Sequence, residues 1–324
     1  MPAKVQRTTQ LVDDTSRSLS DYRRWTAFLN TAAWQYKYSF EDQLCIFAQR
    51  PDATACAGIE LWNNTMHRWV TKGAKGIALL RENGGRYGLE YVFDVSDTRD
   101  LYNRQFNLWQ YDERFSEAVI DELKNIYGKL QSDIDIGNSI KSAVHNIMND
   151  NMTEYLNVLG YVKEDSLLSG LDDVNLEHRF RQTAEASVTY MVMRRMNINP
   201  NQYIQREDFE YIQDFSSSET IAVLGNAVSV IAENALRNIS QTIRRELKKV
   251  EINQNKVYNI DDTKTTDINE KVNEERNEEN DSKRDYIQTG RGLSDTRSGS
   301  IGENIRDRQV RNDEENIPQE QQES

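Results

Sequence analysis

Apolar residues recur every three or four positions in two stretches near the start of the chain, which is the spacing of helices with one buried face. The first stripe consists of Tyr22, Trp25, Leu29 and Ala33. It predicts a helix over residues 19–36. Ser39, with Asp42 three positions later, is a typical capped helix start, and we predict that this second helix ends before Pro51. A third, short helix is predicted over residues 55–63.

The pattern then changes from helical spacing to strands. Residues 77–80 and 87–95 are typical of strands, and the Asn-Gly-Gly sequence at residues 83–85 is typical of a tight hairpin turn. We therefore predict a first domain over residues 17–110, made of helices followed by a small antiparallel sheet. Residues 1–16 are polar and show no such pattern, so we predict a flexible arm there.

Helical stripes dominate the next part of the chain, and we predict a helical domain over residues 111–250. The stripes are Phe115, Val119, Leu123, Ile126 and Leu130; Leu176, Phe180, Ala184, Val188 and Met191; and Ile221, Leu224, Val228, Ile231, Ala235 and Ile239. Two further helices are predicted near residues 140–148 and 152–159. Because such stripes are the usual mark of packed helices, we interpret all of them as core. The predicted fold class is α+β.

The last part of the chain, residues 251–324, has a different composition. It contains 13 apolar residues in 74 positions, and 19 acidic against 11 basic residues, a net charge of −8. A segment with so little apolar surface cannot offset the entropy lost on ordering. We predict a disordered acidic tail.

Charge and composition exclude several classes of protein. The 324 residues carry a formal net charge of −13, which argues against a wholly basic nucleic-acid coat protein. Two cysteines, Cys45 and Cys56, are too few for a disulfide framework, and the three histidines, His67, His145 and His178, limit metal chemistry. No apolar run approaches the roughly 18 residues of a membrane helix. We expect a cytoplasmic protein without a cofactor and without a membrane partner.

Residues 17–86 are basic and aromatic, unlike the rest of the chain. They contain ten Lys or Arg against six Asp or Glu, a net charge of +4. Aromatic rings stack on unpaired bases at roughly 1 to 3 kcal/mol per base, while Lys and Arg follow the phosphates. Because a duplex hides its base faces, this combination favours a single strand. Gly73 and Gly76, beside Lys72 and Lys75, leave room for the backbone to approach a phosphate.

Ten residues form the candidate binding surface on these grounds. They are Lys37, Tyr38, Arg50, Trp62, Arg68, Trp69, Lys72, Gly73, Lys75 and Gly76. For Tyr38, Trp62 and Trp69, both core packing and ligand contact stay open, and the cations are also typical of a solvated surface. Four other rings lie on helical stripes and are predicted to be core: Trp25, Trp34, Phe40 and Phe47.

Residues 25–80 resemble the N-terminal single-stranded-DNA-binding domain of ArdC-type antirestriction proteins, which occur in large proteins of conjugative plasmids and integrative elements. The resemblance rests on Tyr38-Ser39-Phe40 with Gln43, on Ala-Gln-Arg-Pro-Asp-Ala-Thr at residues 48–54, on Trp62, and on Val-Thr-Lys-Gly-Ala-Lys-Gly-Ile at residues 70–77. It implies binding of single-stranded DNA without catalysis. It also adds Gln43 to the candidate surface.

ArdC-type proteins usually continue into a zinc metalloprotease-like domain with an H-E-x-x-H helix and a later acidic ligand. The matching place here is His-Asn-Ile-Met-Asn at residues 145–149, and Glu185 lies on a later helix. Asn146 replaces the general base and Asn149 replaces the second histidine, which leaves two ligands and no base to activate water. We therefore predict a degenerate, zincin-like domain without a metal site and without enzymatic activity.

The predicted function is non-catalytic binding of single-stranded DNA by a protein of a mobile element. One alternative is a helical scaffold that recruits conjugation or restriction proteins through its helices or its tail, the tail acting as a nucleic-acid mimic. Another is a zinc enzyme with an irregular site around His145 and Glu185. Whether the chain is a natural short form or an amino-terminal fragment also stays open.

Overall fold

The computed structural model describes residues 2–100, 102, 104 and 106–277. The chain forms two units, Met1–Lys256 and Val257–Ser324, and the described part of the second unit, residues 257–277, is helical. The first unit is mainly helical and contains small antiparallel sheets, which confirms the mixed fold class. None of the described helices combines the length and the apolar content needed to cross a membrane.

The chain begins with a helix where we predicted a flexible arm. Helix α1 covers Ala3–Ser18. Val5, Thr15 and Ser16 are buried, and Val12 packs against both hydrophobic clusters of the first unit. The predicted arm is therefore corrected to a packed helix. Its apolar stripe is too sparse to recognise, because the packed face alternates Val5 and Val12 with the small polar residues Thr8, Thr15 and Ser16.

Two short helices follow, close to the predicted bounds. Helix α2 covers Tyr22–Trp34 and helix α3 covers Phe40–Gln49. The Ser39 hydroxyl accepts a hydrogen bond from the backbone N–H of Asp42 at 3.3 Å, as the capping pattern predicted.

The strands form two small antiparallel sheets. They are β1 (Cys56–Gly58), β2 (Arg68–Val70), β3 (Ile77–Asn83), β4 (Arg86–Asp94) and β5 (Thr98–Asp100). The larger sheet has the order β1-β4-β3, and β2 pairs with β5. Gly84 and Gly85, with φ of +56° and +75°, form the two-residue turn from β3 to β4. Such a turn needs positive φ at both positions, which confirms the predicted hairpin.

The third predicted helix, over residues 55–63, is wrong in its first half. Strand β1 occupies Cys56–Gly58, and a helical turn follows from residue 59, continuing into the π-helical turn Leu61–Thr65. Two side chains bind the backbone groups at the free edge of β1. The N–H of Cys56 donates to Gln35 Oε1 at 3.3 Å, and the carbonyl of Cys56 accepts from Tyr38 Oη at 2.8 Å. Periodicity does not distinguish a short strand from a short helix, and these partners lie far away in sequence.

The rest of the first unit is built from long helices. They are α4 (Ser116–Tyr127), α5 (Ile136–Val162), α6 (Asp173–Arg195) and α7 (Ser218–Asn277). The predicted stripes are buried, except that Ile126 is exposed. Helix α5 is continuous where we predicted two helices. Helix α7 continues past residue 250, where we placed the start of the acidic tail, and residues 278–324 of that tail lie outside the described residues.

The core does not divide at residue 110, where we placed a domain boundary. One hydrophobic cluster takes members from α2 and α3 as well as from α4 to α7. Buried hydrogen bonds join the same helices: Trp25 Nε1 donates to Ser187 Oγ, and Ser229 Oγ donates to Gln43 Oε1, both at 2.8 Å. A second, smaller cluster packs α3 against the inner face of the larger sheet. The larger sheet thus packs against α3, which also belongs to the helical core.

Candidate nucleic-acid interface

The outer face of β4 carries a row of apolar and aromatic side chains, because alternate residues of a strand point to the same side. The row consists of Tyr87, Leu89, Tyr91 and Phe93. Between them, Val92 points to the inner face and joins the smaller cluster. Tyr87 and Tyr91 are 48% and 43% exposed. The sheet therefore presents two rings to solvent on one side.

A basic turn, residues 71–76, lies next to this row. Its first backbone N–H donates to the carbonyl of Asp97 at 2.8 Å, and a further backbone hydrogen bond of 3.0 Å closes the turn. Gly73 has φ of +91°, a conformation that side chains with a Cβ rarely adopt, so glycine sets the shape of the turn. Lys72 and Lys75 are both exposed on it.

Gly76 brings the basic turn into contact with β4. A Cβ atom on Gly76 would lie 3.0 Å from the Tyr91 ring and 3.2 Å from the Phe93 ring. The backbone of the turn therefore packs directly on these rings, and a larger side chain would push it away. As a result, the residue that follows Lys75 in the chain lies against the exposed ring of Tyr91.

Cations without an ion pair outnumber carboxylates without one around the basic turn. Among the described residues from 50 to 104, three arginines form ion pairs: Arg50 with Asp97 and Asp52, Arg81 with Asp42 and Glu90, and Arg104 with Asp100. Five cations in that stretch have no described carboxylate within ion-pair distance: Arg68, Lys72, Lys75, Arg86 and Arg99. Three carboxylates, Glu60, Glu82 and Asp94, likewise lack a cation. With eight Lys or Arg and seven Asp or Glu the stretch is close to neutral, and its unpaired cations are the groups available to an anionic ligand.

Six of the predicted site residues lie together on β2 and the basic turn: Arg68, Trp69, Lys72, Gly73, Lys75 and Gly76. Trp69 is 37% exposed and lies opposite Arg99 in the β2 and β5 pair. Arg68 is half-buried. Its Nε donates to Thr98 Oγ1 at 2.8 Å, and its guanidinium lies over the Phe106 ring at 5.8 Å. The Arg68 side chain is thus held by contacts with Thr98 and Phe106.

Gln43 and Trp62 are not surface residues, and both are corrected. Gln43 is 1% exposed and links α3 to α7 through Ser229, while its Nε2 donates to the carbonyl of Tyr38 at 2.9 Å. Trp62 is 1% exposed, and its Nε1 donates to the carbonyl of Phe93 at 2.8 Å. Their polar atoms are used inside the protein, so neither side chain is available to a ligand.

Tyr38, Arg50 and Lys37 also have internal contacts. The hydroxyl of Tyr38 donates to the backbone of β1. Burial raises the pKa of this hydroxyl, and the nearby Cys56 raises it further. Arg50 pairs with Asp97 and donates to Ser96 Oγ at 2.7 Å, so its charge is compensated. Lys37 is exposed, with its ammonium 5.9 Å from the centre of its neighbour's ring, that of Tyr36. Tyr38 and Arg50 are therefore engaged in contacts within the protein.

Helices α5 and α6 bring His145 and Glu185 together, with His145 Nδ1 3.0 Å from Glu185 Oε1. Arg181 lies 3.5 Å from the same carboxylate and donates to Asn149 Oδ1. Within the described part of the chain, no group of three or more His, Cys, Asp or Glu side chains is placed to hold a metal ion. Two ligands beside an arginine that already neutralises the carboxylate do not fit a zinc ion.

Comparisons of the chain with protein-family models, with curated proteins and with solved structures gave no match. The resemblance to ArdC-type proteins therefore stays a prediction. The sequence also offered a signal that we did not use. The alternation Tyr-x-Leu-x-Tyr-x-Phe at residues 87–93 predicts a second apolar face, opposite the one that Val92 buries, and thereby points to Tyr87 and Tyr91.

Proposed function

We propose that the basic turn and the outer face of β4 bind single-stranded DNA without catalysis. The main support is that Lys72 and Lys75 have no carboxylate within ion-pair distance among the described residues and belong to a turn that packs against Tyr91. Cations for phosphates and rings for bases are the two kinds of group that an unpaired strand requires side by side. The ArdC-type resemblance supports DNA as the polymer and a role during transfer of a mobile element, including protection of the strand from restriction.

Fluorescence anisotropy of a labelled oligothymidine tests this proposal. If about four phosphates are contacted, affinity should fall by about 50-fold between about 50 and 200 mM salt, since the logarithmic slope for single strands is about −0.7 per phosphate. The double variant Lys72→Glu with Lys75→Glu should bind much more weakly, and its salt slope should be smaller by about 1.4.

A matched control makes the same change of charge elsewhere. Arg244 and Lys248 are exposed on one side of α7, and no ion pair is described for either. Arg244→Glu with Lys248→Glu should leave affinity and slope close to those of the unchanged protein. Equal losses in both double variants would show that only overall charge matters, and no loss at Lys72 and Lys75 would refute the proposed site.

A further inference from the structure

We infer that Tyr87 and Tyr91 are the base-stacking platforms of this surface, and that they accept only a strand whose bases are unstacked. Both rings are exposed on the same face of β4. This inference rests on the proposed function, and it goes further by assigning a role to two residues outside the predicted site and by giving the ligand's conformation.

The spacing of the two rings supports an unstacked strand. Tyr87 and Tyr91 are four residues apart on β4, which is about 14 Å at about 3.4 Å per residue. Successive bases in a helical strand are about 3.4 Å apart. Two rings at this separation cannot hold adjacent stacked bases, and more distant bases of a stacked strand have both faces covered by their neighbours, so the strand must open to place one base on each ring. A duplex cannot do this without losing its base pairs.

The local charges rank the two platforms. Tyr91 contacts Gly76, the last residue of the basic turn, so a base on Tyr91 lies next to the turn that carries Lys72 and Lys75. Tyr87 lies opposite Glu82 in the β3 and β4 pair, and this exposed carboxylate repels a phosphate. We therefore expect Tyr91 to contribute more to affinity than Tyr87.

Conservative substitutions separate stacking from charge. Tyr91→Leu should weaken binding of oligothymidine by about tenfold, and Tyr87→Leu by less, because each loses one stacked base. Tyr91→Phe and Tyr87→Phe keep the ring and should bind within about twofold of the unchanged protein. None of these variants removes a phosphate contact, so the salt slope should stay constant. Tyr161→Leu is the control, because Tyr161 is 88% exposed on α5, outside the proposed surface.

The outcomes distinguish this inference from the proposed function. If the lysine double variant weakens binding but the leucine variants do not, the stacking role is wrong and the basic site stands. If neither set weakens binding, the proposed function fails as well. Loss in the phenylalanine variants equal to that in the leucine variants would contradict stacking, since the ring is retained. A duplex that binds as tightly as the single strand would contradict the unstacked conformation. Circular dichroism melting of each variant checks that the hairpin is folded.

Discussion

The helical core and the outer face of the sheet use similar residues in opposite ways. In the core, Trp25 donates its indole N–H to Ser187, and both ends of the Gln43 amide are hydrogen-bonded. On the sheet, Tyr87 and Tyr91 expose their rings, and the basic turn packs against Tyr91 through Gly76. Polar side chains that lie between packed helices form their hydrogen bonds inside the protein. A small sheet that is covered on one face leaves its other face available for a ligand.

Arg195 shows that a cation among rings does not by itself mark a binding site. Its guanidinium lies 3.7 Å from the centre of the Trp109 ring and 4.9 Å from that of Trp34, and it donates to the Trp109 carbonyl at 3.0 Å. Burial lowers the pKa of Arg195 to about 10. Its contacts are internal and stabilise the core. Lys75 differs in being exposed, which makes it available to a phosphate.

The largest expected effect on stability tests the close packing of α3 against α7. Gly225 on α7 packs against the Phe40 ring, and an added Cβ would lie 2.2 Å from a ring atom. Gly225→Ala should therefore lower the free energy of unfolding by about 3 kcal/mol, measured by urea denaturation. Gly58→Ala, where no atom lies within 4 Å of the added Cβ, is the control and should change little. Similar values for the two variants would contradict a shared core.

The substitution Gln43→Leu tests whether Gln43 acts in the core or in DNA binding. The substitution leaves Ser229 and two backbone carbonyls without their partner, so stability should fall by about 2 kcal/mol. Affinity of the folded variant for oligothymidine should not change. If the Gln43→Leu protein is fully folded but binds DNA more weakly, Gln43 contributes to DNA binding and its exclusion from the binding surface is wrong.

Asp94 stabilises the sheet region in a way that depends on pH and is lost in acid. Burial of the carboxylate raises its pKa, but hydrogen bonds from Ser96, Ala55 and Thr54 outweigh this effect, so the net pKa is lowered. The stabilisation is therefore complete above the unfolded pKa of about 3.9 and is lost as pH falls through the lower folded value.

Asp94→Asn should cost about 1 to 2 kcal/mol of stability at neutral pH. Unfolding measured between pH 3 and pH 7 should show the difference from the unchanged protein shrinking below about pH 4. A difference that stays constant over this range would contradict the lowered pKa.

The smallest expected effect concerns the carboxylate opposite Tyr87. Removing the charge with Glu82→Gln should strengthen binding of oligothymidine by about twofold, because an exposed charge is well screened by water and salt. Glu154→Gln on α5 is the control and should have no effect on anisotropy titrations. Unchanged binding by Glu82→Gln would mean that Glu82 does not face the ligand, and weaker binding would contradict the expected repulsion of a phosphate.

Much of the fold could be predicted from the sequence because local signals decide it. The stripes of α6 and α7, the Ser39 cap and the Gly84 and Gly85 turn each depend on neighbours in the chain. The binding surface could be predicted only in part. Whether Trp62 is buried depends on Phe93, about thirty residues away, and Gln43 is buried by a helix that begins at Ser218. Such partners leave no local pattern.

The most direct test of the central claim maps where an unpaired strand lies on the protein. Ultraviolet cross-linking of oligothymidine to the unchanged protein, followed by mass spectrometry of the adducts, gives this position. We expect adducts on Trp69, Tyr87 and Tyr91, and their loss when competing salt is raised. Adducts confined to α4, α5 or α6, or a pattern that salt does not alter, would contradict the proposed interface.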